Sequence, residues 1–122
     1  MQYALLIYND PTGWESMSEA ERGQVFREYG ALTQDMKTKG AYLDGNPLQP
    51  TQSATSVRVR DGERLVTDGP FAETKEQLGG YYVVEAESLD EAIDWAARIP
   101  SARLGTIEVR PVMQVPAGVE AG

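Results

Sequence analysis

The residues best suited to chemistry crowd into one run, Asp68-Gly69-Pro70-Phe71-Ala72-Glu73-Thr74-Lys75-Glu76. Nine positions hold a carboxylate, a turn, an aromatic ring and four further polar side chains. Gly tolerates positive φ, Pro fixes its own φ, and an aspartate ahead of them can accept hydrogen bonds from local amides, so the run begins as a turn. Two roles are open to Asp68. Beside Phe71 it is placed to lose part of its hydration, as a general base requires; the alternative is that it caps the amides of its own turn. Phe71 reads either as an anchor that ties the loop to the core or as a stacking platform for a ligand. Glu73, Thr74, Lys75 and Glu76 set a cation and a hydroxyl among anions. That arrangement orients a small polar ligand or completes a proton relay with Asp68, and it is equally the composition of a solvated loop.

Other candidates are scattered. Arg58 and Arg60 share one face of a strand by its period of two, ready for a ligand carboxylate, for an acidic loop of a partner, or for plain solvent. Tyr8, Asp10, Trp14 and Asp44 fall at strand ends or in loops, where a barrel mouth forms, with Trp14 as a lid over the core. Trp95 reads as packing. The acidic neighbours Glu19 with Glu21 and Asp90 with Glu91 occupy first turns of helices, where the helix dipole accounts for them, so no metal site is expected. No phosphate-cradling or dinucleotide-binding glycine pattern occurs, and no cofactor is expected; Gly79-Gly80 suits a bulge or a close strand approach.

Composition narrows the chemistry further. The 122 residues include neither cysteine nor histidine, which removes disulfides, thiolate nucleophiles, the commonest transition-metal ligands and the usual neutral-pH base. Acid-base work falls to carboxylates, Lys or Tyr. Eleven basic against nineteen acidic residues give a net charge of −8, which repels phosphate backbones, so nucleic acid is not an expected partner. The opening Met1-Gln2-Tyr3-Ala4-Leu5-Leu6-Ile7-Tyr8 lacks a basic region and is too short to span a bilayer, so no membrane association and a cytoplasmic location are expected.

The positioning elements follow from periodicity. Residues 2 to 8 read as a strand that enters a turn-rich loop at Asn9-Asp10-Pro11-Thr12-Gly13. Ser18 with Glu21 makes a capping box, and Val25, Tyr29, Leu32 and Met36 recur at helical spacing until Gly40. Residues 41 to 45 are a short strand. Ala54 to Arg60 alternates as a half-buried strand that Asp61-Gly62 turns towards Leu65-Val66-Thr67. After the motif loop come a strand at Gly80 to Ala86, a second capping box at Ser88 and Glu91, a helix ended by Pro100, and a last strand from Thr106 to Met113. The order predicts an α+β, ferredoxin-like sandwich: an antiparallel sheet with two helices on one face, and an inserted hairpin. One domain over residues 1–115 and a fraying tail over 116–122 are expected.

The run Asp-Gly-Pro-Phe-Ala-Glu-Thr-Lys-Glu, followed by Leu78-Gly79-Gly80-Tyr81-Tyr82, resembles the signature of the YCII-related family, in its DGPF branch. The likeness extends from Tyr3-Ala4-Leu5-Leu6-Ile7-Tyr8 to Glu108-Val109-Arg110-Pro111-Val112-Met113. It implies a dimeric α/β barrel, two sheets packed face to face as a homodimer, with a ligand cavity between them. Some relatives carry a proposed histidine and aspartate pair; with no histidine here, only the aspartate role carries over, to Asp68. The branch is also associated with extracytoplasmic-function sigma factors. Three functions are therefore open: a small-molecule-binding or accessory protein, a cofactor-independent isomerase- or monooxygenase-like enzyme using Asp68, and an interaction module tied to sigma-factor signalling.

Overall fold

The computed structural model describes residues 1–116 and Gly118, so the expected tail, Pro116 and Gly118 apart, lies outside the described residues. Four strands form one antiparallel sheet: β1 (Gln2–Asn9), β2 (Tyr42–Pro47), β5 (Gln77–Glu85) and β6 (Thr106–Pro111), in the order β2-β5-β1-β6. Helices α2 (Glu19–Thr38) and α3 (Leu89–Ala97) connect them, in the ferredoxin-like arrangement. A separate hairpin pairs β3 (Thr55–Arg60) with β4 (Glu63–Asp68).

Local sequence explains the helix ends. Ser18 Oγ accepts from the Glu21 amide at 3.1 Å while the Glu21 carboxylate accepts from the Ser18 amide at 3.0 Å, the reciprocal capping box. At the other end of α2 the Ala41 amide reaches the Met36 carbonyl and the Gly40 amide that of Lys37, with Gly40 at φ 73°, the Schellman closure. At α3 only half of the expected box forms: Ser88 Oγ accepts from the Glu91 amide, but the Glu91 carboxylate binds the Glu87 amide instead. A further short helix, α1 (Pro11–Glu15), stands where a loop was expected. Asp10 caps it by accepting from Thr12, and Pro11 occupies a first-turn position that needs no amide donor.

The core fills one side of the sheet. Tyr3, Leu5 and Ile7 of β1 with Tyr82 and Val84 of β5 meet Leu32 and Met36 of α2 and Ala92, Trp95 and Ala96 of α3. Trp95 is buried packing, as its neighbours suggested. One buried phenol, Tyr82, and one partly buried, Tyr29, tie the layers together. Thr33 Oγ1 donates to the Tyr29 carbonyl at 2.9 Å, so its 2.7 Å contact with Tyr82 must have the phenol as donor, since a threonine has one proton to give. The Tyr29 hydroxyl lies 2.6 Å from that of Ser101.

The hairpin is the principal departure from expectation. Predicted to be half-buried, it exposes Val57, Val59, Leu65 and Val66. Pairing gathers Val57, Val59 and Val66 on one face together with Arg64 and leaves Leu65 on the other, and among the described residues no second layer covers the valines.

Burial raises the pKa of both Tyr29 and Tyr82 above that of a free phenol. A group raised on folding contributes its full stability below its unfolded value and loses it as pH climbs through the folded one, so stability should decline above about pH 10. Replacing Tyr29 and Tyr82 together by Phe should blunt that decline, while each change costs about 1 kcal/mol at neutral pH through its lost hydrogen bond. Urea denaturation at pH 7 and at pH 10.5 measures both effects; an unchanged alkaline loss in the double variant would assign it to other groups.

Candidate functional site

Because the helices cover one face of the sheet, the alternate residues of every strand point to the other. Register aligns them in rows. Asp44, Val83, Ala4 and Arg110 make one row across β2, β5, β1 and β6; Asn46, Tyr81, Leu6 and Glu108 make the next; Leu78, Tyr8 and Thr106 follow. The centre of this open face is therefore apolar, through Ala4, Leu6 and Val83, and its two edges are polar.

On the β2 edge, Tyr81 Oη donates to Asp44 Oδ2 at 3.2 Å and accepts from Asn46 Nδ2 at 3.0 Å. Asp44 Oδ1 is fixed by the Gly45 amide at 2.9 Å. On the β6 edge, Arg110 binds Glu108 Oε2 at 2.8 Å, and Tyr8 Oη donates to the other oxygen at 3.5 Å. The bond to Glu108 holds the Arg110 guanidinium in its charged form, its pKa raised above the ordinary arginine value. Between these edges a ligand would find an apolar floor flanked by hydroxyl, amide and carboxylate groups, a lining suited to a small polar molecule with a hydrocarbon body.

The motif loop closes one end of this face. Thr106 Oγ1 donates to both oxygens of Glu76, at 3.2 and 3.3 Å, and Thr51 donates to Gln77 at 2.7 Å. Thr74 turns inward on its own loop, its hydroxyl donating to the Glu76 carbonyl at 2.6 Å. Lys75 lies near Asp10, whose carboxyl is held below its usual pKa first by hydrogen bonds from Thr12 and also by the Lys75 charge. Close backbone approach makes the corner possible. A Cβ on Gly105 would sit 2.1 Å from the Tyr8 carbonyl oxygen, and one on Gly79 would sit 2.8 Å from Asn9 Nδ2, where the β1–β5 register shifts as the paired glycines suggested.

Of the residues chosen from sequence, Tyr8 and Glu76 thus meet at one end of the sheet, through Thr106. Asp68 and Arg58 do not join them. Both are on the hairpin, Asp68 paired with Thr55 at its base and Arg58 opposite Leu65. Asp68 is exposed, and among the described residues its carboxylate has no hydrogen-bond partner, so it neither caps the turn nor sits desolvated. Glu73 faces solvent. Phe71 is the plainest correction: it is 81% exposed and anchors nothing in this protomer, because no core element extends to the hairpin's base. Trp14 likewise covers no core; it packs edge-on against exposed Phe26 with ring centroids 5.4 Å apart.

Sequence reasoning missed Tyr81, Asn46, Thr106, Glu108 and Arg110. The strand period held the signal, since Tyr81 alternates with buried Tyr82, and Glu108 with Ile107 and Val109, which pack on the core. Among the described residues no group of three or more acidic side chains is gathered as a metal site would need. A surface cleft of about 280 Å³ beside Trp95, Lys39 and Glu91 lies on the helix side, away from these residues.

Comparison with known proteins places this architecture. The family model of the YCII-related domain matches residues 1–116. The chain belongs to the YCII-related family. It is also 41% identical over 114 residues to an uncharacterized protein of Rhizobium meliloti (strain 1021), covering 92% of each chain. No helix among the described residues is long and apolar enough to cross a membrane.

Exposure at Phe71 leads to a direct measurement. In a monomeric protein Phe71→Ala should change stability by less than about 0.5 kcal/mol, the scale of a surface substitution. Denaturant unfolding at low protein concentration tests this, and a loss of several kcal/mol would mean that the ring is buried in the folded protomer.

Proposed function

We propose that this YCII-related protein is a DGPF-branch, small-molecule-binding or accessory protein that works as a homodimer, with its ligand held over the open face of the sheet. The observation that carries the reading is the one-sided sheet. Helices cover Tyr3, Leu5 and Ile7, whereas Ala4, Leu6 and Val83 form an apolar strip with no layer over it among the described residues, rimmed by the Asp44–Tyr81–Asn46 and Tyr8–Glu108–Arg110 groups. Two such faces packed together would turn a nearly flat surface into an enclosed cavity. The ligand class this lining favours is a small molecule with a flat apolar body and a hydroxyl or amine for Asp44, Asn46 and Tyr81.

A second reading, an enzyme without a cofactor, finds support at the other edge. Glu76 is half-buried and both its oxygens accept from Thr106 beside Tyr8, which sets it closer to the open face than exposed Asp68 and free of any ion pair among the described residues.

Light scattering at micromolar concentration should report a particle of twice 13.4 kDa; a monomer mass would overturn the dimer. A thermal-shift screen of hydroxylated and amine-bearing small molecules should find compounds that stabilise the fold, by about 2.7 kcal/mol at a hundredfold excess over Kd. Tyr81→Phe should weaken their binding without lowering the melting temperature of the free protein by more than a few degrees. Asp68→Asn should leave both unchanged; a loss of affinity or turnover at constant stability would return Asp68 to the site.

A further inference from the structure

We infer that the open face of the sheet takes an elongated zwitterion, its ammonium at Asp44 and its carboxylate at Arg110, an inference that deepens the small-molecule reading and rests on it. Register places both charges in one row. Asp44 on β2 pairs with Val83 on β5, Val83 with Ala4 on β1, and Ala4 with Arg110 on β6, so an anion and a cation stand at the two ends of a row whose middle is apolar. The strand order β2-β5-β1-β6 puts three strand spacings between them, about 14 Å. A molecule laid along this row meets a carboxylate, a hydrocarbon floor and a guanidinium in that order.

Both ends keep capacity for a ligand. Among the described residues Asp44 has no cationic partner: its oxygens accept from the Gly45 amide at 2.9 Å and from the Tyr81 hydroxyl at 3.2 Å, neutral donors that aim the carboxylate without cancelling its charge. Arg110 spends one guanidinium nitrogen on Glu108, at 2.8 Å, and Tyr8 shares the hold on that carboxylate. Its remaining N–H donors form a planar fork suited to a second oxygen acid. Glu108 is a like charge for that acid, so the ammonium at Asp44 supplies the larger share of affinity and the acid fixes the direction in which the molecule lies. Other charge patterns fit worse. A dicarboxylate would set a second anion against Asp44, and a diamine a second cation against Arg110, so the row discriminates by repulsion as well as attraction. On one protomer both side chains are exposed and water screens them; enclosure of the face strengthens both contacts.

Calorimetric titration of the full chain with ω-amino acids of increasing length, from γ-aminobutyric to ω-aminododecanoic acid, tests the span: affinity should pass through a maximum at intermediate length. A steady rise with every added methylene would mean that chain burial alone binds, and overturns the two-ended site. At the best length, the methyl ester cancels the negative charge and the N-acetyl derivative the positive one. Each should bind at least about tenfold more weakly than the parent acid, the scale of a hydrogen bond to a charged group. Arg110→Gln should bring the parent down to the affinity of its ester, and Asp44→Asn to that of its N-acetyl derivative, with melting temperatures within a few degrees of the wild type because both side chains are already in solvent. An ester as tight as the acid, or an N-acetyl compound as tight as the amine, overturns the zwitterion and leaves a small-molecule site on this face standing. The same follows if no ω-amino acid binds while compounds of the thermal-shift screen do. If neither set binds, both readings fall.

Discussion

Strand β1 lies at the centre of the sheet, and both the core and the candidate site hang on its alternation. Leu5 and Ile7 face the helices, while Leu6 and Tyr8 face away. A slip of one residue in its pairing would bring Leu6 and Tyr8 into the core and drive Leu5 into water, so the energetics of the core also fix the geometry of the open face. Two close approaches pin that register. Gly79 takes up the irregularity opposite Ile7 and Tyr8, and Gly105 lets β6 begin against the Tyr8 carbonyl, where any Cβ would collide with backbone. Loss of either glycine would therefore disturb the corner that carries Tyr8, Glu76 and Thr106 before it disturbed the helices.

The polar groups of that face are satisfied without being buried. Tyr81 acts as donor to Asp44 and acceptor from Asn46, which uses the phenol in both senses and orients all three side chains. Glu108 is held between Tyr8 and Arg110. Such groups can exchange a protein partner for a ligand at modest cost, because no unpaired buried charge is created in either state. The helix side is different. There the Tyr29 and Ser101 hydroxyls pair at 2.6 Å and those of Tyr82 and Thr33 at 2.7 Å, with Thr33 also donating to the Tyr29 carbonyl, and together they lock α2 on the sheet.

Much of the fold was legible because its signals are local. Ser18 with Glu21 and Ser88 with Glu91 located the starts of α2 and α3, and Asp61-Gly62 marked the hairpin turn, where both residues take positive φ. The short helix α1 was not legible, since Pro11-Thr12-Gly13 favours a turn by composition and the outcome rests on the Asp10 cap. Burial of the hairpin and of Phe71 was misjudged for a different reason. An alternating strand declares which residues share a face, but whether a layer covers that face is decided by distant parts of the structure. The polar edges of the site fell between these cases: strand period exposes Glu108 and Tyr81 to view, yet only the pairing of β2 with β5 reveals that Asp44 and Asn46 meet the same phenol.

The Asp-Gly-Pro-Phe motif acquires a mechanical meaning from its bonds. Gly69 adopts φ 94°, a conformation that a side chain would strain, and its amide and carbonyl are both tied to the base of the hairpin, to the Ala54 carbonyl and the Ser56 hydroxyl, at 2.7 Å each. Pro70 then stiffens the departure of the chain from β4. Both bonds lie within the base of the hairpin, where they carry the pairing of its two strands one residue beyond Thr55 and Asp68. Asp68 lies solvated at the edge of this turn and Phe71 is exposed just beyond it. At the far end of the same loop Glu76 joins Thr106 beside Tyr8.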